Sequence, residues 1–453
     1  MLKEKMRWTF FGDMLKDEYR QCIDEGREVE AFSAEIEEIL GIEEEKERNM
    51  RARELLVKME QSPVRRTFPY YEPETYEGIA ASLPPQAETC YPYQQNRLED
   101  QIRGAWYGRT AGCVLGIPVE GWPRKKIFDY LKASGQFPLK KYIASAGEQQ
   151  IRQQFDITEE DITTPYDRTK ICWLNCLDGK IPNDDDLNYT AAALKLLERY
   201  GQDFTSEDVA ETWLLGIPPL HTCTAERAAV RNFMNGVLPP ASAIVCNPYR
   251  EWIGAQIRGD FFGYINPGNP HRASKMAYLD AAVSHTKNGV YGEMFIAALI
   301  SLCFVETFSM KERIRLAMMQ IPPGSRLKES LDEVCGWYES GKNYEQAVEE
   351  IHSRYNENEQ FDWCLTIPNA MIVTACLLWK ENFSESISAA VLAGFDTDCN
   401  GATVGSVKGA AGGFQKIDPK WYAPFEGNLY TSVHGYHKLS FEEAVQRTLT
   451  LIV

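Results

Sequence analysis

Two sets of glycines recur every four residues: Gly104, Gly108, Gly112 and Gly116, then Gly401, Gly405, Gly409 and Gly413. That spacing lays one glycine stripe along one face of a helix. Each interior glycine costs a helix about 1 kcal/mol relative to alanine. Such a stripe is therefore expected only where backbones come unusually close, helix against helix or helix against a ligand. Both stripes adjoin carboxylates: Glu120 follows the first, and Asp396 and Asp398 precede the second.

The helical period runs through most of the chain. Leu187, Ala191, Leu194 and Leu197 share one face and stop at Gly201, and Tyr344, Ala347, Val348, Ile351 and Tyr355 repeat the pattern. Thr205-Ser206-Glu207-Asp208 reads as a capping signal before an apolar run. Strand-like alternation is rare, and no internal repeat suggests a solenoid. The pattern predicts an all-α domain over residues 96–453. Ahead of it, residues 1–95 read as a helical extension and a linker. Up to about residue 62 the chain is dense in Glu, Lys and Arg, with runs such as Glu43 to Arg53 that suit exposed helices. Beyond it, Phe68-Pro69-Tyr70-Tyr71 and Leu83-Pro84-Pro85 break the helical period and predict a linker wrapped on the main domain.

Charge and composition remove several function classes. Against 48 basic residues stand 65 acidic ones, a net charge of −17, which argues against a nucleic-acid partner. No apolar stretch approaches the roughly 20 residues needed to cross a bilayer, so no membrane role is expected. The charged opening from Met1 to Arg20 lacks a secretory pattern, which predicts a cytoplasmic location. The 12 cysteines form no CxxC pair and are expected to be reduced. Cys172 and Cys176 stand one helical turn apart and are expected to pack. His434 and His437 have metal-like spacing but no third ligand nearby.

Two acidic clusters carry the chemistry. In Asn183-Asp184-Asp185-Asp186 the carboxylates stand in a row at the mouth of an amphipathic helix. Capping and the helix dipole explain one or two of them. The crowding of the third is most simply relieved by a hard cation such as Mg²⁺. Asp396-Thr397-Asp398-Cys399-Asn400 likewise enters a glycine-rich helix, and Val407 at the twelfth position rules out a calcium loop of the EF-hand type. Clusters this far apart in sequence can converge to hold two metals that polarise water and clamp substrate oxygens. A third stretch, Asn247 to Asp260 and Tyr278 to Glu293, mixes Arg, Gln, His, Asn, Tyr and Gly as a pocket for a polar ligand does.

With these segments in view, the chain resembles the ADP-ribosylglycohydrolase family. Gly104 to Glu120, Asn183 to Asp186 and Gly394 to Gly413 carry the resemblance, and the Ser284-His285 stretch is similar to the family's ligand loop. The resemblance implies an all-α, roughly orthogonal bundle with two Mg²⁺ (or Mn²⁺) ions in a cleft. It implies metal ligation by Asp184, Asp185, Asp396 and Asp398, with Asn183 able to add an amide oxygen. Glu120 would sit at the cleft, and Glu120, Asp184 and Asp398 are the implied catalytic groups. Gly254, Gln256, Ser284, His285, Asn288 and Tyr291 would line a pocket for ADP-ribose, with Asn400 able to supply a further oxygen. The implied reaction is hydrolysis at the distal ribose of an ADP-ribosylated protein or small molecule. This sequence departs from the family pattern in two places. The family usually has Thr at the first and Thr or Ser at the last position of the first cluster, where Asn183 and Asp186 stand. It also usually has Thr where Cys399 stands, and a thiol is a poor ligand for Mg²⁺. The departure leaves a non-catalytic ADP-ribose or nucleotide binder as the rival reading. A more distant rival, an Asp-rich isoprenoid synthase, expects DDxxD within a helix rather than consecutive carboxylates at its start.

Overall fold

The two glycine stripes face each other. In the computed structural model, which describes residues 2–157 and 183–452, the first stripe lies on the helix Gln95–Gly116 and the second on Thr397–Gly412. A Cβ added at Gly104, Gly108 or Gly112 would lie under 3.0 Å from the backbone of Gly409, Gly405 or Gly401, respectively. Only hydrogen fits at these positions, so the cost of each helical glycine is offset by backbone-to-backbone packing. Gly413 is not part of the second helix. It caps it with φ +82°, in the left-handed region that favours glycine.

The paired numbers rise on one helix as they fall on the other, so the two run antiparallel. The C-terminal end of the first therefore meets the N-terminal start of the second. A Cβ on Gly116 would strike the backbone of Thr397 and Asp398, and the Thr397 hydroxyl donates to the Gly116 carbonyl at 2.9 Å. This register sets Glu120, one short 3₁₀ turn (Ile117–Val119) beyond the first helix, beside Asp396 and Asp398.

The fold is all-α as expected, with one small hairpin, Asn428–Tyr430 paired antiparallel with Lys438–Ser440. Its centre is Lys287–Cys303, a largely apolar helix buried at every residue, as a core helix is. His434 and His437 lie in the hairpin loop, where the backbone N–H of His434 donates to the Gly216 carbonyl. The ten cysteines among the described residues are free. Cys172 and Cys176 lie outside the described residues.

Helices Phe11–Asp24, Ser33–Leu40 and Glu45–Glu60 form the N-terminal extension. Their charged sequence suits exposed faces, yet each also carries a buried stripe: Met14 and Leu15, Ile36 and Ile39, Leu55, Leu56 and Met59. These side chains close a second core against Tyr249, Trp252, Phe361 and Cys364. Buried ion pairs fix the join. Arg250 meets Glu18 at 2.7 Å and Glu25 at 2.6 Å, and Lys287 meets Glu25 at 2.8 Å. In the segment that follows, the Tyr71 N–H donates to the Gly324 carbonyl at 2.9 Å and the Tyr91 N–H to the Gly268 carbonyl at 2.8 Å, and Thr75 caps a short helix, Tyr76–Ser82.

Candidate metal and ligand site

The antiparallel glycine helices bring Glu120 to Asp396 and Asp398, and a third element completes the cluster. Helix Asp185–Tyr200 begins at Asp184, whose carboxylate accepts from the backbone N–H of Asp186 at 2.9 Å. Arg109, on the first glycine helix, fixes that start. Its guanidinium donates to the Asp186 carboxylate at 3.0 Å, to Thr190 at 2.7 Å and to the Ile257 carbonyl at 2.5 Å, and pairs with Asp260 at 2.9 Å. One buried arginine thus ties the glycine pair to the first acidic run.

Three overlapping groups of ligand atoms result, each within 4.8 Å: Glu120, Asp396 and Asp398; Asp186, Asp398 and Cys399; and Asp184, Asp186 and Cys113. Asp184, Asp186, Asp396 and Asp398 are all buried. Both carboxylate oxygens of Asp398 and one each of Asp186 and Asp396 are buried without a hydrogen-bond partner among the described residues. So are the amide oxygens of Asn183 and Asn400. The Asn400 amide nitrogen donates to Asn369 at 2.7 Å, which turns its oxygen the other way. Buried orphan oxygens are costly unless something binds them, and an all-oxygen set of this density suits a hard divalent cation.

Electrostatics agree. Burial, then Glu120 and Asp396, hold the Asp398 carboxyl well above the usual carboxylate range, and burial pushes Asp396 up to about 6. Cys399 is the soft member of the set. Burial, followed by Asp186, keeps its thiol well above the ordinary range and therefore protonated.

A cavity of about 240 Å³ opens beside the cluster, with Glu120, Asp185, Asp396, Cys399 and Gly254 in its wall. Asp185 is half-buried there and stands outside the three close groups. Gly254 admits Glu226, whose carboxylate occupies the space of a Cβ. The Glu226 carboxyl is pushed up to about 7 by burial, against the pull of Arg258 at 2.6 Å.

Of the expected ligand-pocket residues, Gly254 alone lines this cavity. Gln256, Ser284, His285, Asn288 and Tyr291 are buried elsewhere. Ser284 and His285 hydrogen-bond each other at 2.8 Å, and burial holds the imidazole neutral. Asn288 donates to Glu72 at 2.8 Å and to Glu251 at 2.9 Å, and the Tyr291 hydroxyl donates to the Pro73 carbonyl at 2.6 Å. Glu72 and Pro73 of the linker thus engage Asn288 and Tyr291, whereas both amide atoms of Gln256 are buried without a partner among the described residues.

Sequence reading missed Arg109 and Glu226, and the ligand set implied by the resemblance leaves out Asp186. Arg109 had a signal: a lone arginine inside a run of Gly, Ala and Thr is buried and must be paired. Asp186 belongs to the acidic run but stands where the family pattern has Thr or Ser. Glu226 sits in an ordinary helix, Thr224–Met234, and offers none.

The family model described as ADP-ribosylglycohydrolase matches residues 94–449. A relative from Archaeoglobus fulgidus, described as an uncharacterized protein, is 23% identical over 318 residues, which are 70% of this chain and 88% of the relative. A solved structure titled "ADP-ribosylglycohydrolase-related protein complex" is 18% identical with a TM-score of 0.48, covering 79% of this chain and 98% of that one.

Proposed function

The chain belongs to the ADP-ribosylglycohydrolase family, and on that premise we propose that it is a metal-dependent hydrolase of the glycosidic bond at the distal ribose of an ADP-ribosyl conjugate. The observation that carries this reading is the convergence of Glu120, Asp184, Asp186, Asp396 and Asp398 from three separate segments, with buried carboxylate oxygens left for a ligand. The donor set fits hard cations. Asp184, Asp186, Asp396 and Asp398 would hold two Mg²⁺ (or Mn²⁺), with Asn183, Asp185 and Asn400 at the periphery. Bound there, the ions supply Lewis acidity to ribose hydroxyls and water.

The protein's own groups do the rest. Glu120, half-buried at the cavity wall, accepts the proton of the attacking water as its oxygen bonds to C1″. The C1″ bond to the leaving nitrogen or oxygen breaks, and that atom takes up the proton Glu120 has gained, which returns the carboxylate to its starting state. Asp184 and Asp398 would hold the ions whose Lewis acidity would orient the ribose hydroxyls. The test is release of ADP-ribose from arginine-linked and serine-linked substrates, with Mg²⁺ and after chelation. Metal-dependent release supports the reading, and absence of release from every linkage overturns it.

Cys399 favours one second reading. Its protonated thiol faces Asp186 and Asp398 where an oxygen ligand would serve a hard cation. A protein that binds ADP-ribose and does not cleave it would give calorimetric heat with ADP-ribose and no release from either substrate.

A further inference from the structure

Residues 1–9 lie outside the family match of 94–449, yet two of them, Arg7 and Trp8, line the same cavity as Glu120, Asp185 and Asp396. Arg7 is the cation among the described residues that line that cavity, where Glu120, Asp185, Glu226 and Asp396 supply the negative charge. Its guanidinium stacks on the Trp8 ring with 3.9 Å to the centroid and is exposed. Trp8 has φ +66°, the left-handed region that a bulky side chain adopts only when its surroundings impose it. Those surroundings are visible. Arg227, on helix Thr224–Met234, donates to the Lys5 carbonyl at 2.6 Å and to the Arg7 carbonyl at 3.4 Å, and its guanidinium stands 5.4 Å from the same indole. The segment is thus held against the cavity by a buried side chain of the catalytic part.

We propose that Arg7 is a substrate-binding residue that recognises the diphosphate of the ADP-ribosyl group, with Trp8 and Arg227 as its positioning residues. The inference rests on the functional reading above and extends it to the part of the substrate that the acidic cluster repels. A cavity of about 240 Å³ is smaller than the roughly 300–1,000 Å³ of pockets that enclose a whole ligand. It takes the ribose end and leaves the phosphates at the wall. Two guanidinium groups around one indole form a local positive site on a strongly acidic protein, and a planar guanidinium pairs with phosphate oxygens in bidentate fashion. The extension is then a specificity element appended to the family core.

The test is calorimetry of the full-length protein with saturating Mg²⁺, comparing wild type, Arg7→Ala and Arg7→Lys against ADP-ribose, ADP and ribose. Arg7→Ala is expected to weaken ADP-ribose and ADP about tenfold, Arg7→Lys less, and neither to change ribose binding or the Mg²⁺-induced rise in Tm. Arg7 is exposed, so the variant folds. If wild type binds ADP-ribose and Arg7→Ala binds it equally well, the Arg7 assignment falls and the functional reading stands. If ribose binding weakens in parallel, Arg7 acts on the cavity as a whole, and the diphosphate assignment falls. If wild type binds none of the three, both readings fall together.

Discussion

Gly112 and Gly401 meet backbone to backbone, each standing where a methyl group on the other would have to go. No rotamer change relieves a clash with a carbonyl, so the helices must part. Gly112→Ala is expected to destabilise the fold by about 3 kcal/mol, and to weaken metal binding because Glu120 follows the first helix by one 3₁₀ turn and Asp398 lies in the first turn of the second. Gly336→Ala is the control. Gly336 sits in the exposed part of helix Arg326–Glu339 with nothing within 4 Å of an added Cβ, and its replacement should stabilise by up to about 1 kcal/mol. Urea denaturation of the two variants checks both signs.

Asp398 is buried with its oxygens unpartnered, and burial with neighbouring carboxylates disfavours its charge. Without a cation that charge costs stability. Asp398→Asn should therefore raise the Tm of the chelated protein by about 2 °C. The same change should abolish hydrolysis and the Tm gain on adding Mg²⁺, which for wild type reflects about 2.7 kcal/mol of added stability at a hundredfold excess over Kd. A variant that still gains Tm with Mg²⁺ would remove Asp398 from the metal site.

Arg109 is the opposite case, a buried charge whose partners are also buried. Arg109→Met leaves Asp186 and Asp260 without their counterion. The expected loss is about 3–5 kcal/mol, read by denaturant unfolding, with Mg²⁺ recovering part of it because a cation beside Asp186 replaces some of the missing charge.

These variants also mark how far the sequence could be read. Residue identity announced both acidic clusters and both glycine stripes, because consecutive Asp and a four-residue Gly period have few physical explanations. Spacing alone left open whether each stripe meets a helix or a ligand. The answer, that the stripes meet each other, is tertiary. The surroundings of Asn288 and Tyr291 are tertiary for the same reason: Glu72, Glu251 and Pro73, distant in sequence, take their hydrogen bonds. Arg7 and Trp8 reach the cavity through packing that no local pattern records.

The docking of the extension should depend on pH in a calculable direction. Burial raises Asp17 and Asp24 to about 6 and Glu60 to about 8. Each binds a proton more tightly folded than unfolded, where carboxyls titrate near 4, so the stability they allow is lost as pH rises between about 4 and 8. Glu25 and Glu72 have the opposite sign. Despite burial, Arg250 and Lys287 hold Glu25, and Arg326 holds Glu72, below the ordinary carboxyl range, and their contribution is lost only in acid. Amide hydrogen exchange across residues 11–60 should show greater protection at about pH 5.5 than at about pH 8.5. Equal or reversed protection would contradict these buried carboxyls.

Cys399→Thr tests what the thiol does to the metal site. The sulfur lies within 4.8 Å of ligand atoms of Asp186 and Asp398 and is held protonated, so it offers a hard cation no useful donor. A threonine hydroxyl is close in size and supplies an oxygen. The substitution should tighten Mg²⁺ roughly tenfold and change Mn²⁺, the softer ion, less, as measured by the concentration of each ion that gives half the maximal rise in Tm. Unchanged affinity for both ions would mean that the thiol does not face the cations. Turnover completes the comparison. If wild type binds ADP-ribose without releasing it from either linked substrate and Cys399→Thr releases it, the thiol is what separates a binder from a hydrolase on the same acidic frame.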